Sequence, residues 1–166
     1  MQRPRTRWRA WSKGIRVGVV LLYLAALLRV TVLKFPEVVL THGWRPEALM
    51  LRWRFAVNLV PFRTIAGYLA GEPSVGIAVQ NLAGNILVFV PWGLLWTWCR
   101  PNRTRATVVV GSALAASLVL ETAEFLLGAG SCDVDDLLLN GLGAFLGYLV
   151  ARLPGRRLAR IRTPGS

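Results

Sequence analysis

The sequence predicts an all-α integral membrane protein: a bundle of about four transmembrane helices, with interfacial or re-entrant helices in the first outer loop. Three observations carry this expectation. Hydrophobic residues make up 54% of the 166-residue chain and charged residues only 17%, whereas a soluble domain carries about 25% charged residues. Apolar stretches of about 20 residues, the length that crosses a bilayer, recur along the chain. The net charge of +12 is gathered into a few segments between them.

The elements follow in order. A basic cytoplasmic N-terminus occupies residues 1–13, a transmembrane domain residues 14–153, and a basic cytoplasmic tail residues 154–166. The first span is expected at about 14–33, with Arg16 and Arg29 near its ends, where long side chains snorkel. No small-x-small cleavage site follows it in "RVTVLKFP", so it reads as an uncleaved span and not as a removed signal peptide. The second span is expected at about 80–98, the third at about 106–127 and the fourth, the shortest, at about 136–153. Pro91 is expected to kink the second span and to leave the Leu87 carbonyl unpaired.

Charge sets the direction. Arg3, Arg5, Arg7, Arg9, Lys13 and Arg16 precede or open the first span. Arg100, Arg103 and Arg105 link the second to the third, and Arg152, Arg156, Arg157, Arg160 and Arg162 end or follow the fourth. Placing these fourteen of the twenty basic residues inside puts both termini of a multi-pass membrane protein in the cytoplasm. The same segregation argues against nucleic acid as a partner, because no basic face with interleaved aromatics is present. Trp92, Trp96 and Trp98 then read as an interfacial belt at the inner end of the second span. Cys99 falls inside and Cys132 outside, so no internal disulfide is expected.

Between the first two spans, about residues 34–79 lie outside. Their dense apolar residues are broken by Arg52, Arg54, Asn58, Pro61 and Arg63, which suits helical segments lying on the membrane face. His42, the single histidine, has no partner motif and reads as a loop residue.

Polar residues inside the spans are the informative feature. Asn81 and Asn85 are four apart on one helix face, with Gly84 expected to permit close packing. Glu121 and Glu124 are three apart near the end of the third span, and Asp136 and Asn140 are four apart at the start of the fourth. At 1.5 Å per residue, Asn85 lies roughly 7 Å, Glu121 roughly 9 Å and Asn140 roughly 6 Å below the outer helix ends. Five of the eight carboxylates fall between Glu121 and Asp136. Charged groups at this depth should face a bundle interior or a wet cavity. The candidate polar pocket therefore comprises Asn81, Asn85, Glu121, Glu124, Asp133, Asp135, Asp136 and Asn140.

Plainer roles stand beside this one. Asp135 or Asp136 could cap the fourth helix, the asparagines could be interhelical glue, and Gly143 and Gly147 form a G-x-x-x-G packing face with Gly141 beside it. Arg52, Arg54 and Arg63 are candidates for an anionic head group, with Trp53 and Phe62 as interfacial anchors. A divalent metal, Mg²⁺ or Mn²⁺ by donor type, is possible at Glu121, Asp133 and Asp136. No H-E-x-x-H, C-x-x-C, G-x-S-x-G or phosphate-binding glycine loop occurs, and no established catalytic motif is present.

Four blocks, "NLVPFRTI" (58–65), "NLAGNILVFVPWG" (81–93), "SLVLETAEF" (117–125) and "DVDDLLLNGLGAFLGYL" (133–149), make the chain similar to the VanZ-like family of bacterial membrane proteins. The resemblance implies a multi-pass protein of the cell envelope, in the bacterial cytoplasmic membrane. The family's named member is associated with low-level resistance to teicoplanin, a lipid-tailed glycopeptide. Its motif residues map onto Asn58, Pro61, Phe62, Asn81, Gly84, Asn85, Pro91, Gly93, Glu121, Asp133, Asp135, Asp136, Asn140 and Gly143. The chain departs in having Glu124 where the family usually has glutamine, and "GAGSC" where an arginine commonly precedes the aspartates.

The leading expectation is a protein that binds a lipid, a lipid-linked precursor or a lipoglycopeptide at an acidic outer-leaflet pocket and contributes to glycopeptide tolerance. The alternatives are a metal-dependent membrane enzyme acting on lipid phosphate or ester bonds, and a structural membrane subunit.

Overall fold

The structure, a computed structural model, describes residues 5–32, 50, 53, 56–100, 104–128 and 130–153, and of residues 5–12 the backbone alone. Five helices and one two-stranded bridge make up this part. In chain order they are α1 (Arg5–Val30), β1 (Val57–Asn58), α2 (Arg63–Leu69), α3 (Val75–Cys99), α4 (Ala106–Leu127), β2 (Cys132–Asp133) and α5 (Val134–Arg152).

Local chemistry sets the helix limits. Ser74 caps α3 by accepting the Ile77 amide at 3.4 Å, and Pro101 follows the last turn, where the helix stops. Gly128 ends α4 in the left-handed conformation (φ 74°), its N–H turned back to the Glu124 and Phe125 carbonyls. Asp133 caps α5, accepting the Asp135 amide at 2.9 Å. The helix cap is thus Asp133 and not Asp135 or Asp136, which occupy the first turn.

The helices α3, α4 and α5, of 25, 22 and 19 residues, are long and apolar enough to cross a membrane. They carry the second, third and fourth expected spans. Helix α1, which includes Lys13, Arg16 and Arg29, is not one of these three. It begins well before residue 14, so the basic N-terminal segment continues into the expected first span as one helix. Helix α3 runs unbroken through Pro91.

An apolar core around Phe89, Val109, Ala113 and Ala144 is joined by buried polar groups, and much of the outer surface is apolar. Ser117 and Asp135 are fully buried, and Glu121, Glu124, Asp133 and Asn140 nearly so, while Leu22, Leu87, Val119 and Val75 are exposed. In water such a surface would be costly; hydrocarbon around it removes that cost. Together with the apolar helices, this marks a membrane protein.

Helix α5 lies between α3 and α4, and its contact with α3 is the more extensive. Glycine makes that contact possible. A Cβ on Gly143 would strike the Ile86 carbonyl, one on Gly147 the Val90 carbonyl, and one on Gly93 the Ala144 carbonyl. The backbones touch where side chains would otherwise hold them apart. Gly141 faces Leu114 of α4. Helix α1 meets α3, where the Tyr23 hydroxyl donates to the Val88 carbonyl at 3.0 Å.

Arg16, Arg100 and Arg152 gather at one end, and the acids lie at the other together with Arg29 and Arg63. At one end Arg152 donates to the Thr104 carbonyl at 2.6 Å and lies over Tyr148, and Arg100 lies over Trp96. At that end Arg16 also stacks on Trp98. The opposite end joins the C-terminus of α4 to the N-termini of α3 and α5 and holds the acidic residues. Trp92 departs from the expected belt. Its Nε1 donates to Ser112 Oγ at 3.0 Å and its ring packs on Tyr23 and Phe89, so it ties three helices together inside the bundle.

Candidate functional site

The acidic end is organised by a contact between distant segments. Strand β1 pairs in parallel with β2, Val57 beside Cys132 and Asn58 beside Asp133, and the Cys132 amide donates to the Ala56 carbonyl at 2.8 Å. Immediately afterwards the chain turns at Pro61-Phe62, where Phe62 adopts the left-handed region (φ 65°), and enters the seven-residue helix α2. Left-handed backbone is costly for a bulky residue.

Asp135 holds this turn. Its carboxylate accepts the amides of Phe62 (2.5 Å), Thr64 (2.8 Å) and Ile65 (3.1 Å). Charge-assisted bonds to three backbone donors offset both the burial of the carboxylate and the strain at Phe62. Asp133 completes the junction: it accepts the Asn58 amide nitrogen (3.0 Å) and the Thr64 hydroxyl (2.5 Å) while capping α5. The block containing "NLVPFRTI" is therefore docked on the block containing "DVDD" through side chains that the sequence alone does not pair.

Behind this junction lies a cavity of about 380 Å³. Asn81, Asn85, Glu121, Glu124, Asp133, Asp136 and Asn140 all contribute to its wall, so seven of the eight candidate pocket residues meet there. Asp135 does not; it is sealed beneath the Phe62–Ile65 turn. Asn85 donates to Asp136, linking α3 to α5, and Asn81 donates to the Tyr68 hydroxyl at 2.7 Å, linking α3 to α2. Glu121 accepts the Asp133 amide at 3.3 Å. Asn140 donates to Ser117 Oγ at 2.7 Å.

Gly84 lines the cavity, and a Cβ added there would meet nothing within 4 Å. The expectation of close helix packing at Gly84 is thus corrected: the absent side chain leaves the cavity floor open. Residues that sequence reasoning passed over are Thr64 and Tyr68 of α2, which add polar groups to the cavity wall, and Ser117 of α4, which is buried behind Asn140 and accepts from it. The spacing of Ser117 and Glu121, four apart on one face, was the available signal for Ser117.

Of the head-group candidates, Arg63 opens α2 on an exposed face and does not line the cavity. Arg52 and Arg54 lie outside the described residues, as do His42, Arg103 and the tail from residue 154. Phe62 is exposed, and Trp53 stacks edge-on against Phe125 with ring centroids 6.3 Å apart. Among the described residues no three Asp, Glu, His or Cys side chains are disposed to hold a metal ion. The physical reason is visible at Asp133, whose two oxygens already accept from Asn58, Thr64 and the Asp135 amide. Glu121, Asp133 and Asp136 all line the cavity, but among the described residues they are not grouped as a ligand set.

Outside the spans, the Cys132 thiol is pushed upward in pKa, first by burial and then by the nearby Glu121 and Asp133 carboxylates. Cys99 closes α3 at the arginine end.

Comparison with known proteins agrees with the motif blocks. A sequence model of the family described as VanZ/LLP1 matches residues 20–155. Protein VanZ of Enterococcus faecium is similar, at 22% identity over 148 residues that cover 89% of this chain and 80% of that protein. No solved structure matches.

Proposed function

The chain belongs to the VanZ/LLP1 family, and on that premise we propose that it is a cell-envelope membrane protein that binds a lipid, a lipid-linked precursor or a lipoglycopeptide in the acidic cavity and contributes to glycopeptide tolerance. In the same reading the chain crosses the membrane four times, α1 with α3, α4 and α5. Both termini are cytoplasmic and the cavity lies at the outer leaflet. One observation supports this most directly: helices α2, α3, α4 and α5 all turn polar side chains onto a single cavity. Helix interiors at this depth do not keep such groups without a use for them.

The test is teicoplanin tolerance in a susceptible bacterial host expressing the chain. Glu121→Ala and Asp136→Ala are expected to abolish any gain in tolerance while the protein still accumulates in the membrane. Tolerance that survives both substitutions at normal protein levels overturns the reading.

A further inference from the structure

A second recess, of about 300 Å³, lies between α1 and α3 towards the end that holds Arg16, Arg100 and Arg152. It exists because α1 meets α3 far more sparsely than α5 does. Val20 and Leu24, one turn apart on α1, form one wall, and Leu95 and Trp96 of α3 form the other. These side chains are half-buried, so the recess is an open groove and not a sealed void. Tyr23 and Trp92 line its inner part, their rings edge-on with centroids 6.4 Å apart. From Trp92 to Arg100 the groove follows α3 for about 12 Å.

Arg100 stands at its mouth, exposed, with the guanidinium 5.2 Å from the centre of the Trp96 ring. Among the described residues this guanidinium donates no hydrogen bond and forms no ion pair, so five N–H groups are left to another partner. Arg16, one turn before Val20 on α1, lies over Trp98 at 5.6 Å at the same end. The sequence has no Asp or Glu in residues 1–36, 73–120 or 137–166. Helices α1 and α3, the first half of α4 and α5 beyond Asp136 therefore bring no carboxylate to this end. An anion for Arg100 has to come from outside these helices.

The possible occupants differ in what they match. A second copy of the chain in the same orientation sets its own arginines level with these and adds like charge. A neutral lipid covers the apolar walls but brings no net negative charge to the guanidinium. A soluble phosphate pairs with Arg100 and leaves the walls bare. An anionic phospholipid satisfies both, with hydrocarbon along the helices and a phosphate where the arginine reaches the head groups.

We propose that this groove holds one acyl chain of an anionic phospholipid, whose phosphate accepts from the Arg100 guanidinium. Arg16 adds a second positive charge at that level. The site is separate from the acidic cavity and takes from the reading above only the placement of α1 in the membrane.

The experiment uses the full chain in vesicles of equal parts phosphatidylglycerol and phosphatidylcholine, with the lipids retained on extraction counted by native mass spectrometry. Phosphatidylglycerol is expected to be retained over phosphatidylcholine by about fivefold, the worth of one arginine beside an anionic lipid. Arg100→Gln should bring that ratio towards one. Val20→Trp fills the groove without changing any charge and should lower phosphatidylglycerol retention. Leu87→Trp, at an exposed position of α3 outside the groove, should leave retention as in the wild type. Equal retention of the two lipids by the wild type, or equal losses with both tryptophan variants, overturns the proposal. Displacement of the lipid by an equal concentration of glycerol phosphate also overturns it, by showing that charge alone is recognised. A dimer that Val20→Trp abolishes overturns it too, by placing a second copy in the groove. The wild-type ratio and the tryptophan pair decide the matter even if Arg100→Gln does not accumulate. None of these substitutions touches the acidic cavity, so failure here leaves the tolerance assay as a separate test of that site.

Discussion

The Asp135 carboxylate accepts the Thr64 amide at 2.8 Å across 71 positions of the chain. It is the central bond of a set of three that fixes the start of α2 on the start of α5. The segment of residues 57–65 is thereby positioned by a residue in the last helix, and Tyr68, carried on α2, reaches Asn81 beside the cavity as a result.

Removal of that carboxylate should undock α2. Asp135→Ala leaves three backbone donors without acceptors and is expected to cost about 3 kcal/mol or more. Thermal unfolding of the purified protein in detergent, with membrane accumulation beside it, measures this. An unfolding temperature within a degree or two of wild type would show that α2 is held by something else.

The glycines separate packing from function. Gly147→Ala inserts a methyl group where the Val90 carbonyl already sits, and overpacking of this kind costs about 1–3 kcal/mol. Gly84→Ala meets open space and should be neutral to slightly stabilising, since alanine is the better helix former by about 1 kcal/mol. The two variants, compared by thermal unfolding, should therefore move in different directions. Equal destabilisation would place Gly84 in a packed contact after all.

Cysteine labelling tests the orientation and carries a pH dependence. In single-cysteine variants on intact cells, a membrane-impermeant maleimide should reach Cys132 and leave Cys99 unmodified until the membrane is opened. The thiolate is the reacting form. Because burial and the Glu121 and Asp133 charges raise the Cys132 pKa, its labelling should be slower at neutral pH than that of an ordinary exposed cysteine. The rate should climb as pH passes above the usual thiol range. Glu121→Gln removes one of the charges and should speed the reaction at neutral pH. Labelling of Cys99 from outside would reverse the orientation.

The tryptophans should differ in cost. Trp92→Phe deletes the donor to Ser112 and is expected to destabilise by about 1 kcal/mol. Trp98→Phe, at an exposed site, should stay within about 0.5 kcal/mol. Unfolding in detergent that shows equal losses would contradict the buried role of Trp92.

Much of this was legible in the sequence because a membrane imposes simple rules. The apolar runs located α3, α4 and α5 to within a few residues, and α4 spans the range read for it. Counting the rise per residue puts Asn85, Glu121 and Asn140 at one level, and all three line the same cavity. What the sequence hid were relationships between segments far apart in the chain. Asp133, Asp135 and Asp136 look equivalent as letters, yet one caps its own helix, one holds another segment's turn and one faces the cavity with Asn85. Helical spacing assigns a face only once the neighbouring element is known, and the docking of residues 57–65 on residues 132–135 is a tertiary fact. Gly84 failed for the same reason: a glycine that lets helices touch and one that keeps space clear are identical in sequence.

The parallel bridge also dictates an order of events at the ribosome. Residues 57–65 are synthesised long before Cys132 to Asp135, which are their docking partners. During that interval the turn at Phe62 has no carboxylate to hold it, and Asn81 has no fixed tyrosine beside it. The cavity therefore comes into existence only when the final helix arrives, because a half-inserted chain lacks the part of the wall that Asp133, Asp136 and Asn140 supply.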